Sequence, residues 1–167
     1  MGIELRKLAV TDGTDIYEML QELPADENGF INRAAGMRFD EYQEWLKHKV
    51  QESEQVGLVD GWKVPSTTFW LYEDGRPVGC GNLRHFLTDQ LLEQGGNIGY
   101  SIRPSDRNRG LGKTLLSLLI KESRKMGMDK VLLTINIKNT PSLHVALANG
   151  GKIEKATSER NYVWIEL

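Results

Sequence analysis

The 167-residue sequence predicts a single α/β domain, residues 1–167, built on a mixed, mostly antiparallel sheet. Three observations predict it. Two β-rich segments meet at Asp74-Gly75, the signature of an antiparallel hairpin. A strand, a long amphipathic helix and an apolar strand follow later, as in a strand–helix–strand unit. The length suits one ordinary domain, which at this size buries about 68–70% of its unfolded surface. No internal repeat, low-complexity run or linker interrupts it.

Each element has its own signal. Ile3 to Leu8 alternates as a first strand, and Asp12 to Leu23 carries Ile16, Tyr17, Leu20 and Leu23 at helical spacing up to Pro24. Residues 24 to 38 read as a long loop. Asp40 is the expected cap of a second helix, with Tyr42, Trp45, Leu46 and Val50 recurring to about Glu54. Gly57 to Ser66 is irregular. Thr67–Tyr72 and the glycine-bearing Pro77–Leu83 form the hairpin strands, and Asn97 to Ile102 is the next strand. Gly110 to Met126 is the clearest helix, its stripe made of Leu111, Leu115, Leu118, Leu119 and Met126. Val131 to Ile135 suits a strand buried on both faces. Ser142 to Asn149 is a short helix stopped by Gly150-Gly151, and Lys152–Thr157 and Tyr162–Leu167 are the last strands.

Composition narrows the function. With 21 Lys+Arg against 23 Asp+Glu, the net charge of -2 offers neither nucleic acid nor an anionic membrane as a main partner. The single cysteine and three histidines form no spaced metal-ligand set, so no metal is expected. The start lacks a signal-peptide pattern, and no run approaches the ~18 apolar residues of a membrane span. The expected setting is the cytoplasm.

The segment that carries chemistry is Ser101 to Thr114. A strand runs through Arg103-Pro104 into a basic, glycine-bearing turn and straight into the long helix. A helix start exposes unpaired backbone N–H groups and roughly half a positive charge. Glycine lets an anion approach that backbone, so the design is a phosphate or diphosphate site. Arg103, Arg107, Arg109 and Lys113 add side-chain charge against one nearby acid, Asp106. A nucleoside-triphosphate loop would need glycine where Arg107 stands, although Gly112-Lys113-Thr114 matches its end. A dinucleotide fingerprint would need glycine where Leu115 stands.

Arg107-x-x-Gly110-x-Gly112, after a strand ending Ile102-Arg103-Pro104, resembles the acyl-CoA loop of the GNAT-type N-acetyltransferases. Asn139-x-x-Ser142, with Gly150 eleven residues beyond Asn139, is similar to that family's second motif. The resemblance implies a central sheet whose adjacent parallel strands, Asn97–Arg103 and Val131–Ile135, splay apart, with helices on both faces. It implies acetyl-CoA as cosubstrate and a homodimer as a frequent assembly. Backbone amides of Arg107, Asn108, Arg109, Gly110, Leu111 and Gly112, with Lys113 and Thr114, would hold the diphosphate. Ser101, Ile102 and Arg103 would pair with the pantetheine arm, and Asn139 and Ser142 would line its far side.

The resemblance implies direct transfer to a small-molecule amine or amino-acid derivative. The alternative is a noncatalytic acyl-CoA-binding module, because the family's tyrosine acid falls on Ala146. His144, Tyr162 and Ser142 are the remaining donor candidates. His85 is the candidate base, since unperturbed histidine titrates near ~6.5; Glu93 is a weaker one. Cys80 lies in an apolar strand and reads as a buried structural thiol rather than an acyl carrier. Trp45, Trp62, Trp70 and Trp164 read as packing. Asp26, Glu27, Asp40, Glu41, Glu44, Glu52 and Glu54 read as solvated surface or as an attraction for a cationic amine.

Overall fold

The computed structural model describes residues 2–54 and 63–167. The chain begins with β1 (Ile3–Lys7) and α1 (Thr14–Glu22), then a small hairpin, β2 (Asp26–Glu27) and β3 (Phe30–Ile31). After α2 (Phe39–Glu54) come the long strands β4 (Ser66–Glu73) and β5 (Arg76–Arg84). A short α3 (Asp89–Glu93) precedes β6 (Ile98–Ile102), α4 (Leu111–Lys125) and β7 (Lys130–Asn136). The chain closes with α5 (Thr140–Ala148), β8 (Lys152–Ala156) and β9 (Arg160–Glu166).

Two expectations give way. The stretch expected as a loop folds into the β2–β3 hairpin, because Asn28 (φ 53) and Gly29 (φ 86) take the left-handed conformations of a tight turn. Asp40 does not cap α2. It lies inside the first turn, while the Glu41 carboxylate reaches back to accept from the Arg38 backbone N–H at 2.9 Å. A helix absent from the sequence reading, α3, is capped by Thr88, whose hydroxyl accepts from the Leu91 N–H. Trp62, and most of the irregular stretch from Gly57, lie outside the described residues.

The strands form two main antiparallel sheets, ordered β1-β4-β5-β6 and β7-β9-β8. They meet where the α4 crossover brings β7 back beside β6. The Asn97 N–H donates to Leu132 O and the Leu132 N–H to Asn97 Oδ1, both at 2.8 Å. Beyond that joint β6 and β7 share no ladder, so the expected splayed pair is present and a gap opens between its strands.

Helices cover both faces. On one, α4 sets Leu115, Leu116 and Leu119 against Leu71, Val78 and Leu83 of the first sheet and Val131, Leu133 and Val163 of the second. On the other, α1 and α2 pack Ile16, Met19, Leu20, Tyr42 and Leu46 on Trp70, Tyr72 and Cys80. The glycines of β5 belong to this packing. A Cβ on Gly81 would sit 2.6 Å from Leu119 Cδ1, so glycine there lets α4 lie close on the strand.

Candidate functional site

A cavity of 1540 Å³ fills the gap and continues under α2. One wall is Ile98, Gly99 and Tyr100 of β6; the facing wall is Leu133 to Asn136 of β7. Asn139 and Ser142 close one side, while Trp45 and Lys49 of α2 roof the far end. Phe30 leans in from the small hairpin: a Cβ on Gly99 would stand 3.3 Å from its ring.

The entrance to α4 is shaped for close approach to the backbone. Asn108 and Gly110 are both left-handed, at φ 63 and φ 80, and no side chain caps the helix. Nothing lies within 4 Å of where a Gly110 Cβ would be. Among the described residues, no acceptor is assigned to the N–H groups of Leu111, Gly112 or Lys113. A bound diphosphate would satisfy them, and the helix dipole favours its charge. The loop therefore fits the anionic group that the sequence implies.

The loop's arginines behave differently from the expectation. Arg107 is held by a fork–fork pair with Glu27, at 2.5 and 2.9 Å, while its Nε donates to Ile102 O. Arg103 donates to Glu22 at 2.8 Å. Arg109 pairs with Glu73 at 2.6 Å and with Asp106 at 3.3 Å. Burial raises the Glu22 carboxyl, but hydrogen bonds from Arg103 and Ser105 outweigh it and leave it below its ordinary value. Folding thus supplies three acids, Glu22, Glu27 and Glu73, beyond the local Asp106. Lys113 is the loop's one cation with no ion pair among the described residues. The Thr114 hydroxyl donates back to Gly110 O at 3.3 Å.

The strand contribution shifts by one residue. Arg103 N–H donates to Val78 O on β5, so alternation turns the backbone of Ser101 toward β5 as well. The gap-facing backbone belongs to Ile98, Tyr100 and Ile102. Of the expected trio Ser101, Ile102 and Arg103, only Ile102 faces the gap, and Arg107 already occupies its carbonyl.

His85 is not brought to the cavity. Asn82 and Arg84 of β5 line it, and His85 lies on the opposite face with Nε2 2.7 Å from Thr67 Oγ1. Burial, with Lys7 nearby, holds its pKa below the ordinary value. Of the three histidines, only His48 on α2 lines the cavity. Tyr162 and Glu93 are joined elsewhere, the tyrosine hydroxyl donating to Glu93 O at 2.6 Å. Ala146, on α5, is fully buried.

Tyr100, absent from the sequence candidates, is the one tyrosine lining the cavity. Its hydroxyl lies 3.1 Å from Ser142 Oγ, and burial raises its pKa against a smaller lowering by that hydrogen bond. Asn139 caps α5 by accepting from the Ser142 N–H. Cys80 is buried, and burial pushes its thiol up to about 12. Of the seven acids singled out, only Glu27 and Glu52 line the cavity, and both are paired with cations. Trp70 is buried with Nε1 donating to Asp12, and Trp45 stacks on Tyr42. Lys130 lies over the Trp164 ring.

The described residues contain no cluster of His, Cys, Asp or Glu that could hold a metal ion. Nor do they contain a helix long and apolar enough to cross a membrane.

The family model of the GNAT acetyltransferases matches residues 31–150. No curated protein matches the chain. Among solved structures, a GNAT-family acetyltransferase from Streptococcus pneumoniae aligns with TM-score 0.69 at 15% identity, covering 99% of both chains. RimL, a ribosomal L7/L12 alpha-N-protein acetyltransferase solved with coenzyme A, gives 0.73 at 11%, covering 99% of this chain and 94% of that one. Campylobacter jejuni PseH, an N-acetyltransferase solved with acetyl coenzyme A, gives 0.63 at 14%, covering 99% of both. At these identities the structural likeness speaks to the fold.

Proposed function

The chain belongs to the GNAT acetyltransferase family and is an acetyl-CoA-dependent acyltransferase; we propose that it transfers acetyl directly to the amine of a small molecule or amino-acid derivative. The observation that carries this reading is the cavity between β6 and β7, which reaches from Tyr100 and Ser142, beside Gly112 of α4, to the space beneath α2. One end suits an anionic cosubstrate and the other leaves room for an acceptor.

Acetyl-CoA supplies an activated thioester. The unaccepted N–H groups of residues 111–113 hold its diphosphate, assisted by Lys113, while Arg103, Arg107 and Arg109 brace the loop through their acids. The gap-facing N–H groups of Ile98 and Tyr100 are available to an extended acyl-pantetheine arm and its carbonyl oxygen. Asn139 keeps Ser142 in place on the opposite wall. Tyr100 Oη donates the proton that the departing sulfur needs, and the proton the acceptor nitrogen gives up on becoming an amide returns to the phenol through Ser142 Oγ. The raised pKa keeps that phenol protonated at neutral pH. Cys80, with its thiol near 12, carries no acetyl group, which favours transfer within a ternary complex.

The test is free-thiol release from acetyl-CoA across a panel of amines, with the product identified by mass. Amine-dependent release with a mass gain of one acetyl group supports the proposal. Thiol release without an acetylated amine, or none with any amine, contradicts it.

A further inference from the structure

The acceptor end of the cavity carries an unusual cation. Arg84, at the last position of β5, is partly buried and lines the cavity beside Ser66, Thr68 and Asn82. Its Nη1 donates to Gly95 O at 3.1 Å and to Gly96 O at 3.0 Å, which occupies that nitrogen's two protons. Among the described residues no carboxylate pairs with it, and no acceptor is assigned to Nε or Nη2. Neither nitrogen is sealed from solvent, since no buried side-chain nitrogen among the described residues lacks a partner.

Nε–H and Nη2–H point in parallel from one edge of the guanidinium. That edge matches the two oxygens of a carboxylate. Lys49, another cation lining the cavity, is already paired with Glu52 at 3.2 Å. Burial alone draws the Arg84 pKa below its ordinary value, and no acid acts in the other direction. A guanidinium withdrawn from water without a counter-charge is costly, and a bound anion would offset that cost.

The position separates this anion from the cosubstrate's phosphates. Arg84 N–H donates to Asn97 O, at the start of β6, whereas the diphosphate loop leaves the other end of that strand. Five residues at ~3.3 Å each put about 16 Å between the two levels. Arg84 therefore stands beyond the thioester end of an extended arm, where the acceptor enters.

We propose that Arg84 binds a carboxylate of the acceptor, so that the enzyme acts on amines bearing an acid group, such as amino acids and their derivatives. This rests on the amine-transfer reading for its chemistry, but the anion site itself is separable from it. The two Nη1 bonds fix the guanidinium plane to the Gly95-Gly96 turn. The Nε/Nη2 edge then sets the acceptor's orientation by gripping its acid group.

The experiment uses matched pairs of N-acetylated amino acids and their carboxamides, with acidic, basic, aromatic and aliphatic side chains. Each is titrated calorimetrically into the full chain saturated with CoA, for the wild type, Arg84→Lys and Arg84→Gln. Thiol release is measured in parallel with the unacetylated pairs. For at least one pair, the acid should bind roughly 10- to 100-fold more tightly than its amide, the worth of a charge-assisted contact. Arg84→Gln should remove that preference while leaving acetyl-CoA affinity unchanged, and Arg84→Lys should retain part of it.

Equal binding of acid and amide throughout, or a preference that survives in Arg84→Gln, overturns the proposal. So does loss of acid and amide binding in equal measure, which marks Arg84 as a brace for the turn alone. Carboxylate-selective binding without thiol release from any amine refutes amine transfer and supports the anion site. Thiol release indifferent to the carboxylate refutes the anion site alone.

Discussion

The α4 entrance and the cavity beside it handle positive charge in opposite ways. At the α4 entrance three arginines stand within seven residues, and all are matched: Arg103 by Glu22, Arg107 by Glu27, Arg109 by Glu73 and Asp106. What remains for an anion there is mainly main chain. Within the cavity, Arg84 donates to two carbonyls and pairs with no acid among the described residues. On the proposed reading the rich cluster braces the loop and Arg84 is the residue that meets a ligand. Charge count along a sequence therefore says little about which charges a ligand meets.

The largest effect that follows concerns the cavity wall. Tyr100→Phe removes one hydroxyl from the cavity and should lower kcat about 100-fold, the scale of a lost general acid. Acetyl-CoA affinity should stay within twofold. An unchanged kcat would pass the acid role to water.

At the loop end, Gly112→Val tests the main-chain cradle. A Cβ on Gly112 would lie 3.7 Å from Tyr100 and from Val145, in ordinary contact, so the fold accommodates the first carbon. The added branches then crowd the ligand's approach. The acetyl-CoA dissociation constant should rise about tenfold or more, a loss of at least ~1.4 kcal/mol, with the circular dichroism spectrum unchanged. Unaltered affinity in the folded variant would show that the backbone is not the contact.

Arg109→Gln tests the brace. Its guanidinium is half-exposed and already bound to Glu73, so acetyl-CoA affinity should change less than twofold. A tenfold loss would make Arg109 a phosphate ligand and erase the contrast between the two regions.

The smallest effect belongs to His85, which lies off the cavity. Its folded pKa is depressed by burial and by Lys7, so the unfolded chain binds the proton more readily. Stability contributed by its neutral form is complete above the unfolded value near ~6.5 and is lost as pH falls through the folded pKa. His85→Gln should flatten that shallow acid-side decline in the melting temperature and leave the pH–rate profile unaltered. A shifted rate profile would restore His85 as a base.

Much of the architecture is legible in the sequence because it rests on local pattern. The stripe of α4, the Asp74-Gly75 turn and the apolar run of β7 each declare themselves locally, although Met126, expected in that stripe, lies past the helix and is exposed. The β2–β3 hairpin has the same kind of signal in Asn28-Gly29, but two-residue strands offer no alternation to support it. Helix α3 is likewise too short for a period, and Thr88 is its main trace. The loop's glycines and basic residues are legible, whereas the partners of Arg103 and Arg107 lie 81 and 80 positions away. Which face of β5 a residue takes is settled by register with β4. That register puts Asn82 opposite Thr68 and Arg84 opposite Ser66, toward the cavity, and sends His85 to Thr67 on the other face. Tyr100 becomes a site residue only when α5 brings Ser142 to its hydroxyl, 42 positions on.

The contrast between a main-chain site and a side-chain site is tested most directly by calorimetric titration with acetyl-CoA. Wild type, Arg109→Gln and Gly112→Val are compared, with magnesium–ATP as the competing phosphate ligand. One acetyl-CoA should bind per chain at micromolar affinity, unchanged in Arg109→Gln and weakened in Gly112→Val, with no heat from magnesium–ATP. Absence of acetyl-CoA binding, or affinity lost with the arginine and kept with the valine, would contradict it.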